Sequence, residues 1–288
     1  MAPSRLFVDT YTVPPYPTTT GDPDPLKQLW SPTVITILHT TTSILICDCP
    51  PTIIETTKLA DWIEATFPTK KVKYFFATHA HGDHFFGFPT LETRFQGIVP
   101  LATKAVAGSA GEQYEGWWGP KWQEFFPDGQ LPSKRVVFDP LPENNKFDFE
   151  GFELEAHDVQ HADTHANSFL HVPALKLVVA CDIVYGDCYQ FLVEASTAAK
   201  RQQWLDAREA IEKLQPQIVI PGHARKSQVL GAYLIEQTRT YIREFAAELK
   251  KAESAEDLYE RVKALYPERW NLFLLQLSCE ASFRDRGK

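Results

Sequence analysis

Apolar and polar positions change period several times along the 288 residues, and each change marks an element. Residues 5–13 alternate, as a strand with one covered face does. Segments 34–39 and 43–48 are β-branched runs joined by threonines at 40–42, which predicts two adjacent strands. Between these and the first strand, residues 14–25 are rich in Pro, Thr and Asp; they can be neither helix nor central strand and read as an ordered surface arm. Ile54, Leu59, Trp62 and Ile63 recur at helical spacing over 53–66, and the mostly apolar run 72–77 follows as a strand. A short strand is predicted at 97–100. Segments 135–139, 146–149 and 151–158 read as strands of a second sheet, with the polar turn Glu143-Asn144-Asn145 after the first of them. Segments 167–172 and 175–181 then form a hairpin about Pro173-Ala174. Helices are predicted over 199–214 and 228–251 with a strand over 217–221 between them, and two helical stretches over 255–283 are divided at Pro267.

From 103 to 131 the periodicity fails. Tyr114, Trp117, Trp118, Trp122, Phe125 and Phe126 fall on no single helix face, and Gly116, Gly119 and Pro120 interrupt them. A broken helical lid lining a pocket is the favoured reading, with a contact in a homo-oligomer and plain core packing as the alternatives.

Composition narrows the picture. A 44% hydrophobic content is ample for a sizeable core, and one large α/β domain is preferred to two small ones. The net charge of −8 and pI near 5.6 argue against a nucleic-acid partner, because neutralising phosphates needs clustered Lys and Arg. No run of about 18 uncharged apolar residues occurs and residues 1–11 carry Arg5 and Asp9, so a soluble, cytoplasmic protein with no membrane partner is expected. The five cysteines, Cys47, Cys49, Cys181, Cys188 and Cys279, fit reduced thiols better than a disulfide framework; Cys47 and Cys49 read as small buried hydrophobes.

The chemistry concentrates in Thr78-His79-Ala80-His81-Gly82-Asp83-His84, directly after the strand at 72–77. Three imidazoles and a carboxylate so close together make a poor core segment and a good metal site. In extended backbone His79 and His81 point the same way and can share one ion, while Gly82 permits a turn that sends Asp83 and His84 toward a second. Delivery of these residues at a strand's C-terminal end is where sites collect in layered α/β folds.

His-x-His-x-Asp-His after a strand resembles the signature of the metallo-β-lactamase-fold superfamily, and three further motifs stand in the matching order. His161 lies in Val159-Gln160-His161-Ala162-Asp163-Thr164, Asp182 follows the run 175–181, and His223 ends Ile218-Val219-Ile220-Pro221-Gly222-His223. The resemblance covers roughly residues 30–225. It implies a four-layer αββα sandwich with extra C-terminal helices at 226–288, the metals lying in the cleft where the two sheets meet. It also implies that His79, His81 and His161 hold one ion, that Asp83, His84 and His223 hold another, and that Asp182 bridges them. Asp48 resembles the aspartate that supports the metal loop through hydrogen bonds. Gln160 and Cys181 stand where glycines are usual. Since consecutive strand residues face opposite ways, Cys181 is expected to turn away from a metal-facing Asp182.

Five imidazoles and two carboxylates suit two zinc ions per chain, with manganese or iron as alternatives. His81 speaks against the two-iron relatives that reduce oxygen, which tend to carry Glu there. The implied reaction is hydrolysis by a zinc-bridged hydroxide that opens a small cyclic amide or ester, a lactam or lactone, with Asp83 and Asp182 orienting the nucleophile. A thioesterase is the enzyme runner-up; a mononuclear-iron sulfur dioxygenase and a binding protein without turnover are the other classes. Tyr185 is a candidate donor to a developing oxyanion, against ordinary packing. Trp117, Trp118, Trp122, Phe125, Phe86 and His165 are candidate substrate contacts. For Phe86 the alternative is packing under the loop, and for His165 a structural hydrogen bond or support of a metal ligand. His157 and His171 read as strand histidines without a ligand role.

Overall fold

The computed structural model describes residues 5–286; residues 1–4 and the last two, which the sequence places in the same domain, lie outside that range. The first sheet takes its strands in sequence order: β1 (Phe7–Val13), β2 (Thr33–His39), β3 (Ser43–Cys47), β4 (Lys71–Phe76), β5 (Val99–Ala102) and β6 (Asp139–Pro140). β1, β2 and β3 pair antiparallel, and β3 through β6 pair parallel. A second sheet contains β7 (Lys146–Phe149), β8 (Phe152–Val159), β9 (Asn167–Val172), β10 (Leu177–Cys181) and β11 (Ile218–Pro221), again in that spatial order. Only β10 and β11 are parallel there.

Burial on both faces explains why β2, β3 and β10 read as nearly unbroken apolar runs. Val34, Leu38, Leu45 and Cys47 meet Leu170, Val172, Leu177 and Val179 in the core between the sheets. The alternate residues Ile35, Ile37, Ile44 and Ile46 face outward, toward Leu59 and Ile63 of helix α1 (Ile53–Thr66) and Leu91 of α2 (Phe88–Arg94). Val178 and Ala180 likewise face α5 (Ala198–Lys213) and α6 (Tyr233–Lys251), after α3 (Lys104–Ser109) and α4 (Trp118–Phe125) have crossed the other side. The result is an αββα sandwich.

Local signals set the helix starts. The Thr52 hydroxyl accepts from the Glu55 amide at 3.3 Å and Thr197 from Lys200 at 3.3 Å, supplying partners for amides that have none within the helix. Two C-terminal helices, α7 (Ala255–Leu265) and α8 (Leu272–Arg284), separate around Pro267. α8 joins both outer layers, with Phe273 and Leu274 on the first and Leu275 and Cys279 on the second.

Three elements differ from the sequence pattern. Residues 135–138 form no strand: the Val136 amide donates to the Tyr114 hydroxyl at 3.0 Å, Val137 is 81% exposed, and only Asp139–Pro140 pairs, with the first sheet rather than the second. α2 was hidden because Phe85, Phe86 and Phe88 crowd its start without a helical repeat, although Pro89 suits a first turn. α6 begins at Tyr233, not at 228, since residues 228–232 are in turns and loop, with the Gln228 Oε1 accepting from the Asp187 amide at 2.8 Å.

The arm at 14–25 is ordered. Tyr16–Pro17 pairs with Leu29–Trp30, and the Thr19 amide donates to the Phe125 carbonyl at 2.9 Å. All five cysteines are free and buried. No helix among the described residues is long and apolar enough to cross a membrane.

Trp204 of α5 is fully buried and donates its indole N–H to the Ile183 carbonyl at 3.0 Å, anchoring the loop that follows Asp182. Trp204→Phe leaves that carbonyl without its partner and opens a small void. It should therefore lower unfolding free energy by about 1–3 kcal/mol in a denaturant titration; an unchanged midpoint would show that the bond contributes nothing.

Candidate metal centre

The loop after β4 is fixed before any ligand is considered. Asp48, at the end of β3 with φ of 65°, accepts from the Thr78 amide at 2.9 Å and the Thr78 hydroxyl at 2.8 Å. From the other sheet, the Ser168 amide donates to the Thr78 carbonyl at 2.9 Å, and the Ala80 amide donates to Ala166 at 3.0 Å. A second seam joins the Val34 amide to the Gly222 carbonyl at 2.7 Å. These two seams bring the histidine loop, the start of β9 and the end of β11 together where the sheets meet.

Close approach requires glycine at two places. A Cβ on Gly222 would lie 1.8 Å from Asp182 Oδ1, and one on Gly82 would lie 2.7 Å from the Phe86 ring and 2.9 Å from Trp122. Gly82 therefore does more than permit the turn that begins there: it lets the aromatic roof sit on the loop.

Four groups of donor side chains come together among the described residues: Glu155 with His157 and His171, Asp48 with His79, His84 and Cys181, and two that concern the expected ions. In one, Asp83, His84 and His223 converge. His84 Nε2 lies 3.3 Å from His223 Nε2 and 3.6 Å from Asp83 Oδ2. Asp182 spans the two rings, its Oδ1 at 3.5 Å from His84 Nε2 and its Oδ2 at 3.3 Å from His223 Nε2. In the other group, His79 and His81 converge with Asp163, not with His161. Asp163 Oδ2 lies 2.7 Å from His81 Nδ1 and 3.4 Å from His79 Nε2. His161 is buried but outside this group; its Nδ1 is 2.7 Å from the Ala162 carbonyl, and its Nε2 has no hydrogen-bond partner among the described residues.

Cys181 does not turn away. A bulge between Val179 and Cys181 and a left-handed φ of 43° break the strand alternation, and the thiol lies 2.9 Å from Asp48 Oδ2 and 3.3 Å from His84 Nδ1. It thus sits behind His84, on the opposite ring nitrogen from the one facing Asp83, Asp182 and His223. Tyr185 donates its hydroxyl proton to Asp182 Oδ2. Burial and the Asp182 charge push that phenol well above its ordinary range.

The electrostatics follow from interleaved charges. Burial disfavours the His84 cation, yet the Asp182 and Asp83 carboxylates outweigh it and raise the group to about 10. Burial likewise opposes the Asp182 anion, and the His223 and His84 rings overcome it, holding the carboxyl far below its usual range. His81 is raised by Asp163 and Glu194 against the same burial penalty, whereas burial lowers His161. A pocket in which protons are held this way is one in which a cation can replace them.

Above the groups lies a cleft lined by Trp30, Trp117, Trp118, Trp122, Phe125 and Phe191, with Leu274 and Leu277 of α8 at its side. His81, Asp83, Asp182, Tyr185 and His223 form its floor. Trp122 and Phe125 are also core residues, while Trp117 is 56% exposed at the rim. Phe86 is not part of this lining; it stacks on Tyr114 at 4.6 Å and supports Trp122 from behind. His165 lies outside as well, exposed near Glu112 at 3.5 Å, where it lines a neighbouring pocket. The sequence reading missed Asp163 and Trp30, whose indole donates to Asp83 Oδ2 at 3.2 Å. Asp163 was visible two residues after His161; Trp30 carried no local signal.

Comparison with known proteins agrees with this architecture. The family model of the metallo-beta-lactamase superfamily matches residues 63–223. Among solved structures, the metallo-beta-lactamase FIM-1 from Pseudomonas aeruginosa, in a mono-zinc form, superposes with a TM-score of 0.57 at 16% identity over 83% of this chain and 91% of that one. A metallo-beta-lactamase from Pontibacter korlensis gives 0.57 at 18% identity over 83% and 94%, and one from Hirschia baltica 0.54 at 17% over 82% and 93%. At such identities the likeness is one of fold. No curated protein matches the chain. Since the family model spans more than half of the sequence and the fold is shared with solved members, the chain belongs to the metallo-beta-lactamase superfamily.

Proposed function

We propose that this protein is a zinc-dependent hydrolase that opens a small cyclic amide or ester, a lactam or lactone. The observation that carries the reading is a set of buried imidazoles of which His81 and His223 floor an aromatic cleft, while two others, His79 and His161, present Nε2 atoms without hydrogen-bond partners among the described residues. Buried polar atoms left unpaired are costly, and a cation is the partner that imidazole nitrogens and carboxylates share. His79 and His81 with a third donor would hold one ion and Asp83, His84 and His223 another, with Asp182 between the His84 and His223 rings. Zinc bound there supplies a water ionised near neutral pH and an electrophilic centre for a carbonyl oxygen.

The chain's own groups do the rest. Trp30 holds Asp83, and Tyr185 holds Asp182, so neither carboxylate is free to rotate. Because the Tyr185 proton is committed to Asp182, orientation of that carboxylate is its role rather than donation to an oxyanion. The indole walls exclude water and offer flat apolar faces to a substrate. No Lys or Arg among the described residues lines the cleft, which favours an uncharged small molecule.

Metal analysis combined with a screen of lactams, lactones and thioesters tests the proposal directly. Two zinc ions per chain and chelator-sensitive turnover of a cyclic amide or ester are expected; turnover confined to thioesters, or dependent on iron and oxygen, would replace this reading. Asp182→Ala should lower turnover by about 100-fold or more and reduce bound metal, and full activity with two ions retained would remove Asp182 from the site. Trp118→Ala should raise KM about 3- to 10-fold with a smaller effect on kcat, as expected from losing one aromatic contact. Unchanged kinetics would place Trp118 outside the substrate path.

Stripping the metal should also reveal the buried charge pairs. A His84 raised from 6.5 to about 10 stabilises the fold fully below pH 6.5 and loses that contribution as pH climbs toward 10. A depressed Asp182 contributes above 3.8 and loses its contribution as pH falls. The chelated protein should therefore melt highest between roughly pH 4 and 6.5, with Tm declining on both sides. A melting profile that rises steadily toward pH 10 would contradict the assignment.

A further inference from the structure

One carboxylate in the pocket belongs to no expected ligand set. Asp163 is fully buried, and its Oδ1 accepts from the Asn167 amide group, which fixes the carboxylate plane. Its Oδ2 points between two histidines, 2.7 Å from His81 Nδ1 and 3.4 Å from His79 Nε2. Despite this proximity, neither Asp163 Oδ2 nor His79 Nε2 has a hydrogen-bond partner of acceptable geometry among the described residues. The contacts are close but out of line. Donor atoms that face a common point, rather than one another, are arranged as ligands of a cation are.

The other side of His81 supports the same conclusion. Glu194 Oε1 lies 3.2 Å from His81 Nε2, and Glu194 Oε2 accepts from the Thr164 hydroxyl at 2.7 Å. An ionised carboxylate only accepts, so an imidazole proton belongs on Nε2, and whenever Nδ1 carries no proton its lone pair faces Asp163. Nδ1 and a carboxylate oxygen 2.7 Å apart need a positive charge between them, which a proton supplies in the metal-free protein and a cation can supply in its place. The ring has little freedom to escape, since Trp118 and Phe191 pack on it with centroids at 5.5 and 5.2 Å.

We propose that Asp163, with His79 and His81, is a ligand of the first metal ion, and that Glu194, steadied by Thr164, is a positioning residue that keeps the His81 proton on Nε2. Two imidazoles and one carboxylate form a donor set used by catalytic zinc, and they leave a further position for His161 or water. One short segment, 163–164, then supplies both the ligand and the clamp on the carboxylate behind His81. This inference rests on the metal-centre reading above.

Zinc content after dialysis, competition with a chromophoric chelator, and a crystal structure of the zinc-loaded full chain test it together. Wild-type protein should bind two ions. Asp163→Asn should keep one, and Glu194→Gln should keep two, with the first held about 10-fold or more weakly, the second unchanged and Tm unaltered. In the zinc-loaded crystal an Asp163 oxygen should lie about 2.0–2.2 Å from an ion; this measurement decides the matter if Asp163→Asn does not fold. Two ions of unchanged affinity in Asp163→Asn, or an ion coordinated by His79, His81 and His161 with Asp163 beyond reach, would overturn the proposal and leave the metal centre standing. Wild-type protein that binds no zinc would overturn both.

Discussion

A buried cluster of imidazoles and carboxylates is the constraint on which the rest of this structure depends. Isolated charges at this depth would each cost several kcal/mol. The chain avoids that cost by alternating sign: Asp182 stands between His84 and His223, Asp163 between His79 and His81, and Asp48 behind His84. Removing Asp182 or Asp163 takes away the carboxylate that the neighbouring rings share, so the sheets, loops and helices around the cluster are held to a narrow geometry. The same interleaving makes the pocket receptive to divalent ions, which can take the place of several protons at once.

The backbone meets that constraint through hydrogen bonds between the sheets rather than within them. The Thr78 carbonyl accepts from both the amide and the hydroxyl of Ser168, and the Gly222 carbonyl accepts from Val34. Each of these bonds ties an end of one sheet to the other, so the ligands of β4, β9 and β11 cannot drift apart independently. The seams also explain the glycines. At Gly222 the backbone passes so near Asp182 that any side chain would displace the carboxylate from the rings it balances.

Much of this was legible in the sequence where one residue type did one job. Strands buried on both faces announced themselves as apolar runs, and the loop Thr78–His84 showed its chemistry because side chains of that type have no other reason to cluster after a strand. Legibility failed where tertiary contacts reassign a local pattern. Segment 135–139 read as a strand of the second sheet, but of it only Asp139 pairs, with the first sheet, and Tyr114 takes the Val136 amide instead. Cys181 was expected to point out of the site, and a left-handed residue at a bulge instead tucks its thiol behind His84, against Asp48. Asp163 went unnoticed because a histidine two positions earlier satisfied the motif, and nothing in sequence spacing says which of the two side chains a loop will turn inward.

The cleft adds a division of labour that follows from its composition. Its floor carries all of the charge, while its walls are indoles, phenyl rings and the leucines of α8, a helix that reaches the cleft only by bridging both outer layers. Apolar walls discriminate by shape, since one methylene more or less is worth about 1–3 kcal/mol, and they give no strong electrostatic preference among neutral ring systems. A charged substituent would have to be desolvated against indole without a fixed counter-charge. The selectivity of such a site is therefore set by Trp30, Phe191 and segments 117–125 and 274–277, outside the Thr78–His84 loop, and it can diverge while that loop stays unchanged.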